Sequence, residues 1–360
     1  HIPRPHEGLR RVHAPAVGEM TAMPASGQAA PVLTVAMPCY NVARYLERGL
    51  ASFDDARLEG LVELIVVDDG STDATASIAQ AFVERRPQVF RLISKPNGGH
   101  GSAVNTGLTQ ARGAYFRVVD GDDWVDTDEL VRFSQLLAQA TSDLVVDVKT
   151  EVDMATMSPR VFPLPAELVQ GEPCDLESVC MLDAFAPNVM IHTLTARVAY
   201  LRSISLHLLE KTFYEDLEFV VKATLDAADV EFVDTRVYQY LVGNASQSVA
   251  DEGYVRRWDD HTRVCEELLA LLSARKQDLS PIRLAYLQRR CALLSNTHYN
   301  IALIFDKDRA RGARRAKAYR AALRANHPDV ARLSDSHYRK AMVLHVLGVD
   351  SQKKLDSLRR

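Results

Sequence analysis

The chain has 360 residues, 47% of them hydrophobic, enough to bury one large core or two modest ones. Its formal net charge is −4, so no global attraction draws it to nucleic acid. No run of about 18 apolar residues occurs, which argues against a membrane-spanning helix.

In chain order, residues 1–30 are rich in Pro, Ala, Gly and His and read as a mobile tail, with no signal-peptide pattern. Leu33 to Met37 is an apolar run of strand length. It leads into Pro38-Cys39-Tyr40-Asn41 and then a helical segment, Val42 to Phe53. Leu61 to Val67 repeats the pattern, running into Asp68-Asp69-Gly70-Ser71-Thr72-Asp73 and a helical stretch from Ala74 to Arg85. Ser71 or Thr72 is expected to cap that helix, and Gly70 to free the turn. Asp68 and Asp73 have a structural reading: one braces the turn and the other caps the helix.

Next comes Lys95-Pro96-Asn97-Gly98-Gly99-His100-Gly101-Ser102-Ala103-Val104-Asn105-Thr106-Gly107. A glycine-rich loop entering a helix lets backbone N–H groups approach a phosphate or sugar. It matches neither the P-loop pattern nor the dinucleotide fingerprint. Ala114 to Val119 is a third apolar run and ends in Asp120-Gly121-Asp122-Asp123-Trp124. Clustered carboxylates repel one another unless a cation neutralises them. Asp-x-Asp at a strand end therefore suits Mg²⁺ or Mn²⁺, which favour oxygen ligands. The plain alternative is an acidic turn that caps the next helix. Three strands that each end in polar residues have the rhythm of an α/β domain with a mostly parallel sheet. Parallel strands put their C-terminal ends on one edge, where such sheets bind ligands.

Together these motifs resemble the inverting family 2 glycosyltransferases of the GT-A fold. The resemblance rests on Pro38-x-Tyr40-Asn41, Val67-Asp68-Asp69-Gly70-Ser71-x-Asp73, Asn97-Gly98-Gly99 to Asn105-x-Gly107, Asp120-Gly121-Asp122-Asp123 and Glu215-Asp216. It implies a Rossmann-like nucleotide-sugar domain over residues 31–250; the helical region over 251–360 lies outside the resemblance and is read from its own pattern. It also implies transfer of a sugar from a nucleotide diphosphate sugar, UDP-linked in the favoured reading, to an acceptor hydroxyl. By position, Asp69 resembles the acid that binds the base, with Pro38, Tyr40 and Asn41 lining that pocket. Lys95, Asn97 and Gly98 fall beside the nucleotide. Asp120, with Gly121, faces the ribose and the metal, and Asp122 ligates the Mn²⁺ or Mg²⁺ ion directly.

Glu215-Asp216 opens a helical pattern that runs to about Ala227. Acids at a helix N-terminus are electrostatically favoured, which is the structural reading. The resemblance makes Asp216 the general base and Glu215 its partner. It also places Gln247 and Ser248 in a loop near the pyrophosphate. His192 falls where the family builds its acceptor pocket, and a structural role for it is the commoner outcome. Trp124 has two equal readings, an apolar wall for a sugar or core packing. The chain lacks the Gln-x-x-Arg-Trp motif of processive synthases, which favours single additions.

Beyond about Tyr254 the strands stop. Arg257–Ala274, Ile282–Phe305, Arg309–Asn326 and Ser336–Leu347 read as helices, with Pro281 and Pro328 between them. Arg309, Arg311, Arg314, Arg315, Lys317, Arg320 and Arg324 give this tail a basic stretch, continued by Arg339, Lys340, Lys353, Lys354, Arg359 and Arg360. A solvated helix is the favoured reading. Attachment to an anionic membrane surface is the functional one, and it would suit a lipid-linked or glycan acceptor. The tail is expected to pack on the catalytic domain, where it could shape the acceptor site, form a homodimer or dock on a membrane. The chain's five cysteines (Cys39, Cys174, Cys180, Cys265 and Cys291) are scattered, with no C-x-x-C pair. They point to a reducing, cytoplasmic setting and against structural zinc. Two other classes compete: a catalytically silent sugar-nucleotide-binding scaffold, and a sugar-1-phosphate nucleotidyltransferase. The second expects a basic Gly-rich loop after the first strand, where this chain has Pro38-Cys39-Tyr40-Asn41.

Overall fold

The computed structural model describes residues 30–168, 171–242, 251–352 and 354. The 1–29 segment, Gln247, Ser248 and most of the final basic residues lie outside that set. The three apolar runs are strands: β1 (Leu33–Cys39), β2 (Val62–Asp68) and, after β3 (Phe90–Ser94), β4 (Tyr115–Val118). Every residue of β1 and β2 is buried, which explains why they read as continuous apolar runs rather than alternating ones. The remaining strands are β5 (Trp124–Val125), β6 (Leu144–Val146), β7 (Lys149–Asp153), β8 (Pro159–Phe162), β9 (Cys174–Asp175), β10 (Leu194–Arg197), β11 (Asp229–Phe232) and β12 (Tyr238–Val242).

The main sheet has the order β3-β2-β1-β4-β10-β6-β11-β9. β3, β2, β1 and β4 run parallel, while β10 is antiparallel to both its neighbours. The register pairs Cys39 with Asp68 and Asp68 with Ser94, so the polar ends of the parallel strands share one edge. A smaller sheet, β5-β12-β7-β8, stands beside that edge.

Helices α1 (Ala43–Ala51), α2 (Thr75–Arg85), α3 (His100–Gln110) and α4 (Thr127–Leu137) follow the strands of the first half. Side chains alternate between the two faces. Leu33, Val35 and Met37 of β1 join the core shared with α1, α2 and α4, whereas Ala36 joins the core shared with α3. Gly107 on α3 permits that second contact, because a Cβ there would sit 2.5 Å from Ala36 Cβ. The short helices α5 (Leu176–Val179), α6 (Phe185–Asn188) and α7 (Val198–Ser203) lie in the second half, before α8 (Asp216–Leu225).

The expected cap of α2 is corrected. Ser71 accepts from Asn41 N, and Thr72 N donates to Asn41 Oδ1. Asp73 instead takes the N–H of Thr75, and Asp68 takes that of Ser71. The turn is tied first to β1, and so its hydroxyls are not free to cap.

The tail comprises α9 (Asp251–Arg256), α10 (Trp258–Arg275), α11 (Pro281–Asn300), a π-helical turn at Ile301–Phe305, α12 (Arg309–Asn326) and α13 (Pro328–Val346). Pro281 and Pro328 begin their helices rather than separate them, since the first helical position has no N–H to lose. The last helix therefore starts earlier than the pattern implied. Val221 and Leu225 of α8 pack with Val264, Leu268 and Leu272 of α10 and Leu287 and Cys291 of α11. Much of the basic stretch is neutralised within the tail: Arg311 and Arg315 pair with Asp306, and Arg320 and Arg324 with Asp335. Among the described residues no helix is long and apolar enough to cross a membrane.

One buried ion pair joins sheet to site. Arg117 on β4 and Asp147 are both fully buried and lie 3.1 Å apart. Arg117 also donates to the backbone carbonyl of His192. Truncating one partner strands the other without compensation, at a cost of about 3–5 kcal/mol. We expect Arg117→Met to lower the unfolding free energy by that much, read as a lower denaturation midpoint, and Arg117→Met with Asp147→Leu to recover part of it. Equal midpoints for the single variant and wild type would remove the pair from the fold's support.

Candidate active site

The cleft lies at the common edge of the parallel strands. Asp69, just after β2, is almost wholly buried, and its charge is met in full. Its carboxylate accepts from Lys95 Nζ at 2.6 Å, from Gly98 N at 2.9 and 3.1 Å, and from Gly99 N at 2.7 Å. Thus the loop's N–H groups, expected to face a phosphate, face Asp69. Gly99 has φ +87°, and a Cβ there would meet the backbone of Lys211, so the turn requires glycine. Asn97 is exposed beside this turn, and a Cβ on Gly70 would lie 2.9 Å from its backbone N.

Tyr40 follows β1 and is 52% exposed, an unusual state for a tyrosine at the end of a buried strand. Asn41 adopts φ +53° and ties this corner to the turn after β2. Pro38 sits opposite Val67 in the ladder. Gly121 passes close beneath, and a Cβ there would lie 3.0 Å from the Pro38 carbonyl. These contacts bring Pro38, Tyr40, Asn41, Asp69, Lys95, Asn97, Gly98 and Gly121 to one edge.

Asp120 lies beyond β4. Its carboxylate is 2.9 Å from His100 Nε2, accepts from Tyr238 Oη at 3.2 Å and lies 3.7 Å from His192 Nε2. Burial alone would raise its pKa, but His100 and His192 outweigh that and hold it well below the usual range. Asp122 is raised, first by burial and then by the Asp120 charge. No ion pair among the described residues engages the Asp122 carboxylate. Asp123 turns inward: it accepts from Tyr238 Oη at 2.7 Å and Leu241 N at 2.8 Å, and so braces β12.

The second acidic group arrives from α8. Glu215 is buried, and its Oε1 lies 2.5 Å from His100 Nδ1. His100 therefore spans Asp120 and Glu215. Burial pushes its imidazole pKa down, but the two carboxylates together hold it well above the usual value. It lies between two carboxylates, which favour its protonated form. Glu215 Oε2 and His192 Nδ1 are buried and have no hydrogen-bond partner among the described residues, as expected of groups that await water or ligand. Asp216 opens α8 and reaches the solvent of the cleft. Surrounding protein and then the Glu215 charge raise its pKa to about 6.

His192 packs between Tyr238 and Tyr240, at ring distances of 4.8 and 4.6 Å. Trp124 is partly exposed and carries the Arg48 guanidinium 3.8 Å above its ring, so it does not lie in the core. Three contributors were missed in the sequence. His100 was visible among the glycines but had no assigned role. Asn105 pins the segment ahead of α8 through paired bonds with the Leu208 backbone. Tyr238 joins Asp120 to Asp123 from far along the chain, and no local signal marks it.

Comparison with known proteins agrees with this geometry. Residues 34–160 match the model of the glycosyl transferase family 2. The uncharacterised glycosyltransferase EpsJ of Bacillus subtilis is 29% identical over 64% of this chain and 66% of its own length. The chondroitin synthase of Pasteurella multocida is 36% identical over 27% of this chain and 10% of its own length. The chain thus spans less than two thirds of these relatives. In fold it is similar to TarS 1–349 of S. aureus, solved in complex with UDP-GlcNAc, with TM-score 0.62, 20% identity and coverage of 88% and 92% of the two chains. The mannosyltransferase PcManGT of Pyrobaculum calidifontis, solved with GDP-Man and Mn²⁺, gives TM-score 0.50 at 17% identity over 89% and 90%. A strand edge that gathers these motifs and a matching family model lead to one assignment: residues 34–160 form a glycosyl transferase family 2 domain, in a chain whose fold is similar to TarS over most of its length.

Proposed function

We propose that the chain transfers a sugar from a nucleotide diphosphate sugar to an acceptor hydroxyl, inverting the anomeric carbon and adding one sugar at a time. The observation that carries this reading is the meeting of Asp120 and the Glu215–Asp216 pair in one cleft, joined through His100. One acid cluster lies where a leaving group can be held, and the other where a nucleophile can be activated.

Pro38, Tyr40, Asn41 and Asp69 form the base end of the donor pocket. Lys95, Asn97 and Gly98 lie beside the nucleotide, and Asp120 and Gly121 meet the ribose. The half-exposed ring of Tyr40 supports a stacking role. A divalent ion of the Mn²⁺ or Mg²⁺ class fits at Asp122 with Asp120, because Asp122 is a raised carboxylate with no side-chain ion pair among the described residues, beside a second one. When bound, such an ion offsets the charge that grows on the departing diphosphate. Asp216 takes the acceptor's proton as the new C–O bond forms, and the bond from the anomeric carbon to the nucleotide oxygen breaks on the opposite face. Glu215, fixed by His100, sets the electrostatic field at Asp216. His192 and Trp124 lie on the acceptor side. Gln247 and Ser248, outside the described residues, keep their assignment near the pyrophosphate.

A UDP-sugar is the favoured donor, and TarS, which binds UDP-GlcNAc, supports that choice. A glycan or lipid-linked precursor of a surface polymer is the favoured acceptor, consistent with relatives that include a polysaccharide synthase. Work on a lipid-linked acceptor would place the chain at the cytoplasmic face of the membrane.

Three outcomes are expected. In a thermal-shift panel of UDP, GDP, CDP and dTDP with and without Mn²⁺, one nucleotide raises the melting temperature in a metal-dependent way. No shift with any of them would count against the donor pocket. Asp216→Asn keeps that shift but lowers turnover by roughly 10²–10⁴-fold. In wild type, kcat falls as pH drops through about 6, because the base must be ionised and its pKa is raised. A flat profile from pH 5 to 8 would remove Asp216 as the base.

A further inference from the structure

The helical tail holds a second group of ligand-type side chains, apart from the acids of the cleft. His261 and Cys265 are one turn apart on α10, so both face the same side. His298 of α11 meets them there. His261 Nδ1 lies 3.0 Å from His298 Nδ1, and Cys265 Sγ lies 3.5 Å from His261 Nδ1. All three side chains are buried, and their donor atoms lie within 4.8 Å of one another.

These spacings match a coordination sphere. Two nitrogens bound at about 2.0 Å to one tetrahedral zinc sit roughly 3.3 Å apart, and a nitrogen and a thiolate sulfur about 3.6 Å apart. We propose that His261, Cys265 and His298 form a binding site for a thiophilic divalent ion of the Zn²⁺ class.

The surroundings fit that ion. Both rings are almost wholly buried, and a neutral imidazole has one ring-nitrogen lone pair to give a metal. Outer contacts orient His298. Thr262 Oγ1 donates to the Trp258 carbonyl at 2.9 Å, which leaves its lone pairs to face His298 Nε2 at 3.5 Å. A proton on Nε2 leaves the Nδ1 lone pair pointing into the cluster, the arrangement that metal-bound histidines use. Trp258 stacks on the same ring at 3.8 Å, and Tyr319 meets it edge-on at 4.5 Å.

Without metal, a His298 ring protonated at Nε2 accepts at Nδ1 from His261 Nδ1–H, and Cys265 Sγ lies beside that same His261 nitrogen. On binding, that bond breaks and the His261 proton moves to its Nε2. Cys265 coordinates as the thiolate, its proton displaced by the ion. One proton per ion leaves to solvent, and the ion keeps the thiolate's electron pair. The site would tie α10 to α11 directly behind the acidic motif. Tyr214, the residue before Glu215, lies 5.5 Å from the His261 ring and stacks on Tyr254 at 4.7 Å.

Cobalt supplies the test. The full chain, stripped with chelator, is titrated with Co²⁺ and followed by absorbance. The expected result is a thiolate-to-cobalt charge-transfer band that saturates at one equivalent, with intense visible bands of tetrahedral cobalt. Cys265→Ser should abolish the charge-transfer band, and His298→Gln should weaken affinity by about 100-fold or more. Both variants are checked for folding by circular dichroism. Asp122→Asn, in the cleft, should leave the band intact, which separates this ion from the one proposed there. Absence of the band in folded wild type, or its survival in Cys265→Ser, would overturn the site.

Discussion

The structure depends on concentrating negative charge at one sheet edge without letting it repel itself apart. Asp69, Asp120, Asp122 and Asp123 gather there because the parallel strands end together, and the start of α8 brings Glu215 to the same place. Each is met differently. Asp69 takes a lysine and two backbone N–H groups, and Asp123 a tyrosine and an N–H from β12. Asp120 and Glu215 share a single imidazole, His100. Asp122 is left raised, with no side-chain ion pair among the described residues, and this is where a bound cation would contribute most. Neutralisation by the protein wherever structure is needed leaves the residual charge at the place where chemistry is proposed.

This arrangement also couples elements far apart in the chain. The glycine-rich loop is folded onto Asp69 by its own N–H groups. Its backbone then meets the segment ahead of α8, where Lys211 N donates to the Gly98 carbonyl at 2.5 Å. Asn105 on α3 fixes the same segment. The donor pocket and the proposed base therefore share one loop, and a shift in either is felt by the other. From the opposite side the tail presses α8 into place through Val221 and Leu225. The helical region is thus a wall of the catalytic domain rather than an appendage.

The basic stretch of the tail shows how composition misleads without contacts. In sequence, Arg311, Arg315, Arg320 and Arg324 look like a cationic face. In the fold they close on Asp306 and Asp335, which lie close by in sequence but outside the basic run. A cysteine count is equally blind to contacts across helices. Cys265 has no partner in a C-x-x-C pattern, yet two helices bring it within reach of two histidines.

The sequence by itself determined the strand–turn–helix rhythm, the shared edge of the parallel strands, the helical tail and most residues of the cleft. All of these are local, since apolar run length, turn residues and clustered acids act over a few positions and leave a direct trace. Asp68 as turn brace and Asp73 at the helix start were legible for the same reason. Tertiary structure decided what depends on approach between distant segments: the direction of the loop N–H groups toward Asp69, the role of His100 as a charge bridge, and the place of Tyr238 between two acids. It also set the raised pKa of Asp216. Burial and Coulomb interactions act through space, and a residue's electrostatic state is fixed by neighbours that its local sequence does not contain.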